Sequence, residues 1–400
     1  MPDTSRPAKG PLVGLPLLED LPELDGRCVL VRVDFNVPLG PDPRGGGGTV
    51  VTDDFRIRSA LPTLSWLQDH GAKVTACTHL GRPKGVVDPH FDVAPVRARL
   101  AELAPGVELL ENLRFDPGEE DDDPGFVDRL VSGFDAYVND AFGASHRSHG
   151  SIVGPPARLP SAAGRLLAKE VEVLGGLLVA PARPFVTLVG GSKVGDKLGV
   201  LRVLLDLVDH MAVGGGMAFT FLAAQGHAVG ASLLDAGRID SCARLLEQAG
   251  DRIILPTDIV ALEPGGTVGR HTAGTGEVRM IGTDVPRGWR GVDIGPETAG
   301  AFADVVAGAG TVFWNGPMGV FEDERFAAGT RTVARAVAES RAFTVVGGGD
   351  SVAALDELDL ASQVGYVSTG GGASLELLEH GDLPGLEALR HAPNAPRAGA

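Results

Sequence analysis

Only six of the 35 basic residues in this chain are lysines, and two of them, Lys193 and Lys197, stand four apart in the glycine-rich segment GGSKVGDK. An ammonium neutralises phosphate as a compact point charge. Glycine lets backbone N–H groups approach phosphate oxygens closely. Four more glycine-rich segments follow apolar runs in the same half: GGG (214–216), WNGPMGVFE (314–322), GGGDS (347–351) and STGGGAS (368–374). One such loop is equally a tight turn. Five at strand ends point to a nucleotide crevice lined by Gly190, Gly191, Gly214, Gly215, Gly347, Gly348, Gly349 and Ser351. Glu322 is placed to accept from ribose hydroxyls. Asp350 is open to two readings, a Mg²⁺ ligand or a helix N-cap. No segment has the G-x4-G-K-[ST] spacing of a Walker A loop. The protein-kinase set is missing too, since Asp34-Phe35-Asn36 is not D-F-G and no H-R-D-L occurs.

The first half carries a different chemistry. Arg56 precedes a helical run, His79 and Arg82 lie in THLGRP, Arg114 in ENLRF, and His146, Arg147 and His149 in ASHRSH. A guanidinium fork binds two oxygens of a carboxylate or phosphate at once. Any one of these arginines suits a surface ion pair, but several at the strand ends of one sheet converge on one anion site. His146 and His149 have a spacing that a metal also accepts, while the arginine between them favours an anion. Asp34 and Asn36 read equally as turn residues or as partners of a substrate hydroxyl. The acidic run 119–123 reads as a solvated loop.

The elements that must hold these residues alternate regularly. Residues 28–35, 73–78 and 136–139 read as strands, with helices at 58–70 and 91–103. In the second half, strands at 185–188, 210–213, 252–255, 311–314 and 343–346 alternate with helices at 196–207 and 217–224. Such alternation predicts α/β domains whose parallel sheets are covered on both faces, with ligand sites at the carboxyl ends of the strands. A helical run at 166–178 and the break VAPARP at 179–184 divide the chain. The expected layout is an N-terminal domain at 1–168, a hinge helix at 169–180, a C-terminal domain at 181–385 and a tail at 386–400.

Composition narrows the partners. Hydrophobic residues make up 44% and charged residues 22% of the 400, as in folded globular chains of two domains. The net charge of −17 disfavours nucleic acid and anionic membranes as partners. Cys28, Cys77 and Cys242 are odd in number and widely spaced, which fits buried thiols in a reducing, cytoplasmic compartment. The N-terminal residues lack the apolar stretch of a secretory signal.

Taken in order, the motifs resemble the phosphoglycerate kinase family over nearly the whole chain. They are RVDFNVPL (32–39), DDFRIRSALPTL (53–64), HLGRPK (79–84), ENLRF (111–115) and NDAFGASHRSH (139–149). GGSKVGDKLGVL, GGGMAFTFL, DIGPET (293–298), WNGPMGVFE, GGGDS and STGGGASLELLE follow. The resemblance implies two Rossmann-like three-layer domains joined by a helical hinge, and a monomer. It implies a phosphotransferase with a carboxyl acceptor, working with 3-phosphoglycerate or 1,3-bisphosphoglycerate and with ADP or ATP and Mg²⁺. It assigns the triose-phosphate contacts to Asp34, Asn36, Arg56, His79, Arg82, Arg114, Arg147 and His149. It assigns the nucleotide contacts to Lys193, Lys197, Gly214, Gly215, Asn315, Glu322, Gly349, Asp350 and Ser351, with Asp350 facing the metal. Gly370, Gly371 and Gly372 would cradle the transferring phosphoryl group, and Arg56, Lys197 and Lys193 would stabilise its charge. Two features depart from the family pattern: the long loop GPDPRGGGGT (40–49) and the Ala/Pro-rich end.

Two rivals weaken against the residues. A nicotinamide oxidoreductase calls for G-x-G-x-x-G after the first strand, which is missing. A non-catalytic scaffold fits poorly with site residues that all keep competent identities.

Overall fold

A computed structural model describes residues 13–43, 45, 48–269 and 273–396. The chain divides into two compact units. The first runs to Gly176 and resumes at Gly372, and the second is Leu177–Gly371. The division falls inside the helix Arg165–Val179, within the stretch read as a hinge. Residues 372–385, which the sequence reading gave to the C-terminal domain, group with the first unit. The cause is local: Gly385 N donates to Ser145 O at 2.9 Å. Asn394 also brackets Ser161, accepting from its N–H at 2.8 Å and donating to its carbonyl at 3.1 Å.

In the first unit the strands are β1 (Cys28–Arg32), β2 (Leu39–Pro41), β3 (Thr49–Val51), β4 (Lys73–Cys77), β5 (Glu108–Leu109), β6 (Ala136–Asn139) and β7 (Ser161–Ala163). The main sheet has the order β5-β4-β1-β6-β7, and its pairings are parallel. Strand β1 is buried from Val29 onward, as a central parallel strand with helices on both faces must be. Val29, Val31, Ile57, Leu64, Val96 and Leu100 meet in its core. Strands β2 and β3 form an antiparallel hairpin, so the glycine-rich segment 40–49 is the tip and flanks of a ribbon. Arg44, Gly46 and Gly47 of that segment lie outside the described residues.

The second unit repeats the plan with β8 (Phe185–Val189), β9 (His210–Val213), β10 (Ile253–Ile254), β11 (Ile259–Leu262), β12 (Val278–Ile281), β13 (Arg290–Ile294), β14 (Thr311–Asn315), β15 (Phe343–Gly347) and β16 (Tyr366–Val367). Its parallel sheet has the order β10-β9-β8-β14-β15-β16, the doubly wound order of dinucleotide-binding folds. Strands β12-β11-β13 make a separate antiparallel sheet that the sequence pattern did not show. Trp314, wholly buried on β14, donates its indole N–H to Gly316 O at 2.8 Å and so pins the loop that follows.

Both parallel sheets reverse direction of growth beside their first strand. The switch points therefore lie between β1 and β6 in one unit and between β8 and β14 in the other. The carboxyl ends at a switch point leave a crevice that no crossover covers. Cys77 and Cys242 are buried, Cys28 is half-buried, and the three thiols are free. Burial pushes the Cys77 thiol up to about 12, so it is inert. Among the described residues no helix is long and apolar enough to cross a membrane.

Candidate active site

At the β1 end of the first unit the chain delivers Asp34 and Asn36. Asp34 pairs with Arg56, which stands in the first turn of the helix Phe55–Asp69. Burial alone would raise the Asp34 pKa, but its charged surroundings, Arg56 foremost, outweigh it and hold the carboxyl below its usual range. Asn36 Oδ1 accepts from Gly81 N at 2.9 Å, which ties the β1 loop to the loop after β4. That second loop carries His79, which is buried, and Arg82, which is exposed. Arg114 donates to Gly81 O at 2.7 Å, so three loops are laced together at one sheet edge. Burial lowers the Arg114 pKa, with the Arg147 and Arg32 charges acting in the same direction.

Below these groups lies an ion pair that sequence reasoning missed. Arg32, the last residue of β1, is wholly buried and lies 3.9 Å from Glu119, also wholly buried. Glu119 accepts from Ser151 N at 2.8 Å and Ser151 Oγ at 2.7 Å. Its carboxyl stays below the usual range despite burial, because His149, Arg32 and Ser151 all favour the anion. This corrects the reading of 119–123 as a solvated run: residues 120–123 are exposed, whereas Glu119 is a buried counter-charge. An acidic run does not reveal which member turns inward. The one usable signal was a basic residue closing an apolar strand.

At the β8 end of the second unit, Lys197 Nζ donates to Gly190 O at 2.8 Å, Asn315 Oδ1 at 2.8 Å and Asn315 O at 3.3 Å. Those acceptors belong to the ends of β8 and β14, so the ammonium sits on the switch point itself. Burial brings its pKa down to about 8, with Asp350 pulling the other way. Lys193 is exposed on the same loop. A Cβ on Gly190 would lie 2.0 Å from Pro317 O, so the two loops pack backbone on backbone and only glycine fits. Asp350 is exposed in the first turn of the helix Gly349–Glu357, and the buried Ser151 counterpart here is Ser351, whose Oγ accepts from Gly316 N at 2.6 Å. Gly370 N donates to Ser368 Oγ at 3.2 Å, Gly371 ends the second unit, and Gly372 opens the helix Gly372–His380 of the first.

A cavity of about 300 Å³ opens beside this switch point. Gly191, Gly215, Glu322 and Asp350, all named from the sequence, line it. Phe219, Pro256, Ile259, Gly291 and Met318 also line it, and sequence reasoning missed them because they are ordinary apolar or turn residues supplied partly by the antiparallel sheet. Its lining is more apolar than polar.

Buried polar atoms that make no hydrogen bond occur at both places. Among the described residues they are Arg114 Nε, His146 Nδ1, His149 Nδ1, Asn315 Nδ2 and Asp140 Oδ2. Four of these five belong to the two clusters, and two of them face carboxylates instead: Arg114 Nε lies 3.2 Å from Glu120 and His149 Nδ1 3.7 Å from Glu119. Asp140, the exception, caps the helix Arg165–Val179 by accepting from Leu166 N at 3.0 Å and Leu167 N at 3.2 Å. Among the described residues no group of three or more His, Cys, Asp or Glu forms a metal cluster.

Two doubly wound units, one with guanidinium groups at its switch point and one with a lysine on a glycine-built crevice, make a chain with two separate anion-attracting sites. The comparisons place it more narrowly. A family model described as phosphoglycerate kinase matches residues 18–109 and 102–381. A phosphoglycerate kinase of Parafrankia sp. (strain EAN1pec) is 50% identical over 406 residues, covering 93% of this chain and 99% of its own. One from Salinispora arenicola (strain CNS-205) is 51% identical over 405 residues, covering 94% and 99%. The structure of phosphoglycerate kinase from Coxiella burnetii superposes with a TM-score of 0.79 at 38% identity, covering 93% of this chain and 98% of that one. The Pyrococcus horikoshii OT3 enzyme gives 0.80 at 29% identity, covering 94% and 99%. The chain belongs to the phosphoglycerate kinase family, and it is a glycolytic kinase of that family.

Proposed function

We propose that the first unit binds 3-phosphoglycerate or 1,3-bisphosphoglycerate, the second binds ADP or ATP, and the phosphoryl group passes reversibly between them. The observation that carries this division is the pair of switch points, one dressed with arginine and histidine and the other with glycine, Lys197 and an apolar cavity. On this reading Asp34, Asn36, His79, Arg82, Arg114, Arg147 and His149 hold the phosphoglycerate. The loops at 190–191, 214–215 and 347–349 hold the nucleotide phosphates with Lys193, Asn315 and Ser351, and Glu322 takes the ribose. Asp350, an exposed carboxylate lining the cavity, fits Mg²⁺, which typically takes one or two carboxylates and completes its shell with phosphate and water. The metal neutralises the nucleotide phosphates when bound.

The acceptor is a carboxylate, already ionised near neutral pH, so no general base is needed. What remains is in-line positioning and stabilisation of charge on the transferring oxygens. Arg56 and Lys197 do this, with the amides of Gly370 to Gly372. Arg56 is held by Asp34 and Lys197 by carbonyl oxygens, so both cations stay fixed at their switch points until an anion replaces those partners. The units close about the helix Arg165–Val179 to exclude water. The enzyme acts as a cytoplasmic monomer.

A coupled assay tests the reading. The chain receives 3-phosphoglycerate, ATP and Mg²⁺, with glyceraldehyde-3-phosphate dehydrogenase and NADH reporting the acyl phosphate. NADH loss that needs all three additions and disappears in Lys197→Ala supports it. Intact MgADP binding with no turnover would overturn it in favour of another acceptor.

A further inference from the structure

The buried Arg32 has no free face. Its Nε donates to Ser151 Oγ at 2.8 Å, Nη1 donates to Val33 O, and Nη2 lies 3.1 Å from His79 Nδ1. Its side chain is 0% exposed, with the equally buried Glu119 as counter-charge. Arg32 therefore cannot reach a ligand in the basin, although it ends the strand that feeds it.

Its contact with His79 has a chemical consequence. A guanidinium carries only donors and stays protonated. The Nδ1 facing it at 3.1 Å must then be the acceptor. That leaves the imidazole proton on Nε2. A second proton on Nδ1 would set donor against donor and cation against cation in a buried place.

We propose that Arg32, clamped by Glu119 and Ser151, is a positioning residue that fixes His79 as the neutral Nε2–H tautomer, an uncharged donor beside the guanidinium charges of the basin. The groups facing His79 are Asp34, Arg32, Arg114 and Arg56. Burial holds the His79 pKa well below 6.5, the three arginines add to the effect, and Asp34 only partly opposes it. Recognition of the anion by His79 is then a directional hydrogen bond whose strength does not change across neutral pH. The inference rests on the proposed function only for the identity of that anion.

The tautomer is read directly by long-range proton–nitrogen correlation spectra of the ligand-free full chain labelled in histidine. His79→Gln identifies the His79 signals by their loss. The expected result is a protonated Nε2 and a bare Nδ1 at every pH from about 8 to about 5.5. A second proton taken up in that range, or a proton on Nδ1, overturns the proposal. Arg32→Lys keeps a charge but loses the fork, and it is expected to let the Nδ1–H tautomer appear while burial and the other arginines keep the ring uncharged. An unchanged His79 spectrum in the folded variant would also overturn the proposal. Should that variant fail to fold, the wild-type spectrum alone decides.

A kinetic comparison adds a second readout. A glutamine amide reaches the place of Nε2, whereas an asparagine amide reaches only that of Nδ1. Both variants should raise the KM for 3-phosphoglycerate, His79→Asn by about tenfold or more and His79→Gln by clearly less. Asparagine serving as well as glutamine would contradict the Nε2–H role. Wild type failing to use 3-phosphoglycerate at all would sink the functional reading while leaving the tautomer decided by the spectrum.

Discussion

At the end of β1 the cations arrive with their counter-charges, Arg32 with Glu119 and Arg56 with Asp34, whereas at the end of β8 the Lys197 ammonium leans on carbonyl and amide oxygens. The two sheets have the same winding order through five strands, so the contrast is not one of fold. On the proposed assignment of ligands, it follows from what each switch point holds. A small, multiply charged acid offers few atoms, and only side-chain charge fixed in advance recognises it tightly. Fixing such charge inside a protein requires a partner, because an uncompensated buried ion costs several kcal/mol. A nucleotide brings a large apolar ring for a cavity and a polyphosphate that backbone N–H groups can follow, so little side-chain charge is needed.

The contrast breaks most visibly at Lys197. Lys197→Ala should lower kcat on the order of a thousandfold, since Lys197 is the ammonium seated on the ends of β8 and β14, where charge develops on the transferring group. A loss below about tenfold in single-turnover measurements would show that the backbone alone suffices. Arg56→Ala should cost about a hundredfold in turnover while leaving MgADP affinity within about twofold by calorimetry. Equal losses in both would mean Arg56 serves the nucleotide as well. Gly190→Ala should lower the unfolding free energy by about 2–3 kcal/mol in urea titration, because its new methyl meets the Pro317 carbonyl. Unchanged stability would show that the two loops yield easily.

The smallest effect concerns pH. His79 is held well below its ordinary 6.5 in the folded chain, so below that pH the unfolded chain binds a proton that the folded chain refuses. Wild-type stability therefore falls as pH drops from 6.5, by up to about 1.4 kcal/mol per pH unit from this group. His79→Gln lacks this loss, so the stability gap between variant and wild type should narrow between pH 7 and 5.5 in thermal melts. A constant gap would show that His79 protonates normally.

Much of this was legible in the sequence. Apolar runs such as VLVR and FVTLV at regular spacing exposed the parallel sheets, and glycine clusters after them marked one crevice. Arginines and histidines after the others marked the second. The antiparallel β12-β11-β13 sheet stayed hidden, because its half-exposed strand VRMI lacks both a continuous apolar run and clean alternation. Glu119 stayed hidden because the residues around it are acidic and solvated. The cavity wall of Phe219, Gly291 and Met318 depends on tertiary contacts between distant segments, for which no local pattern exists.

The division of labour between the units is tested most directly by titrating Arg147→Ala with each ligand in a calorimeter. The variant should bind 3-phosphoglycerate about tenfold or more weakly than wild type and bind MgADP with unchanged affinity. MgADP weakened in parallel, or 3-phosphoglycerate binding untouched, would contradict the assignment of the arginine-rich switch point to the acid and the glycine-built one to the nucleotide.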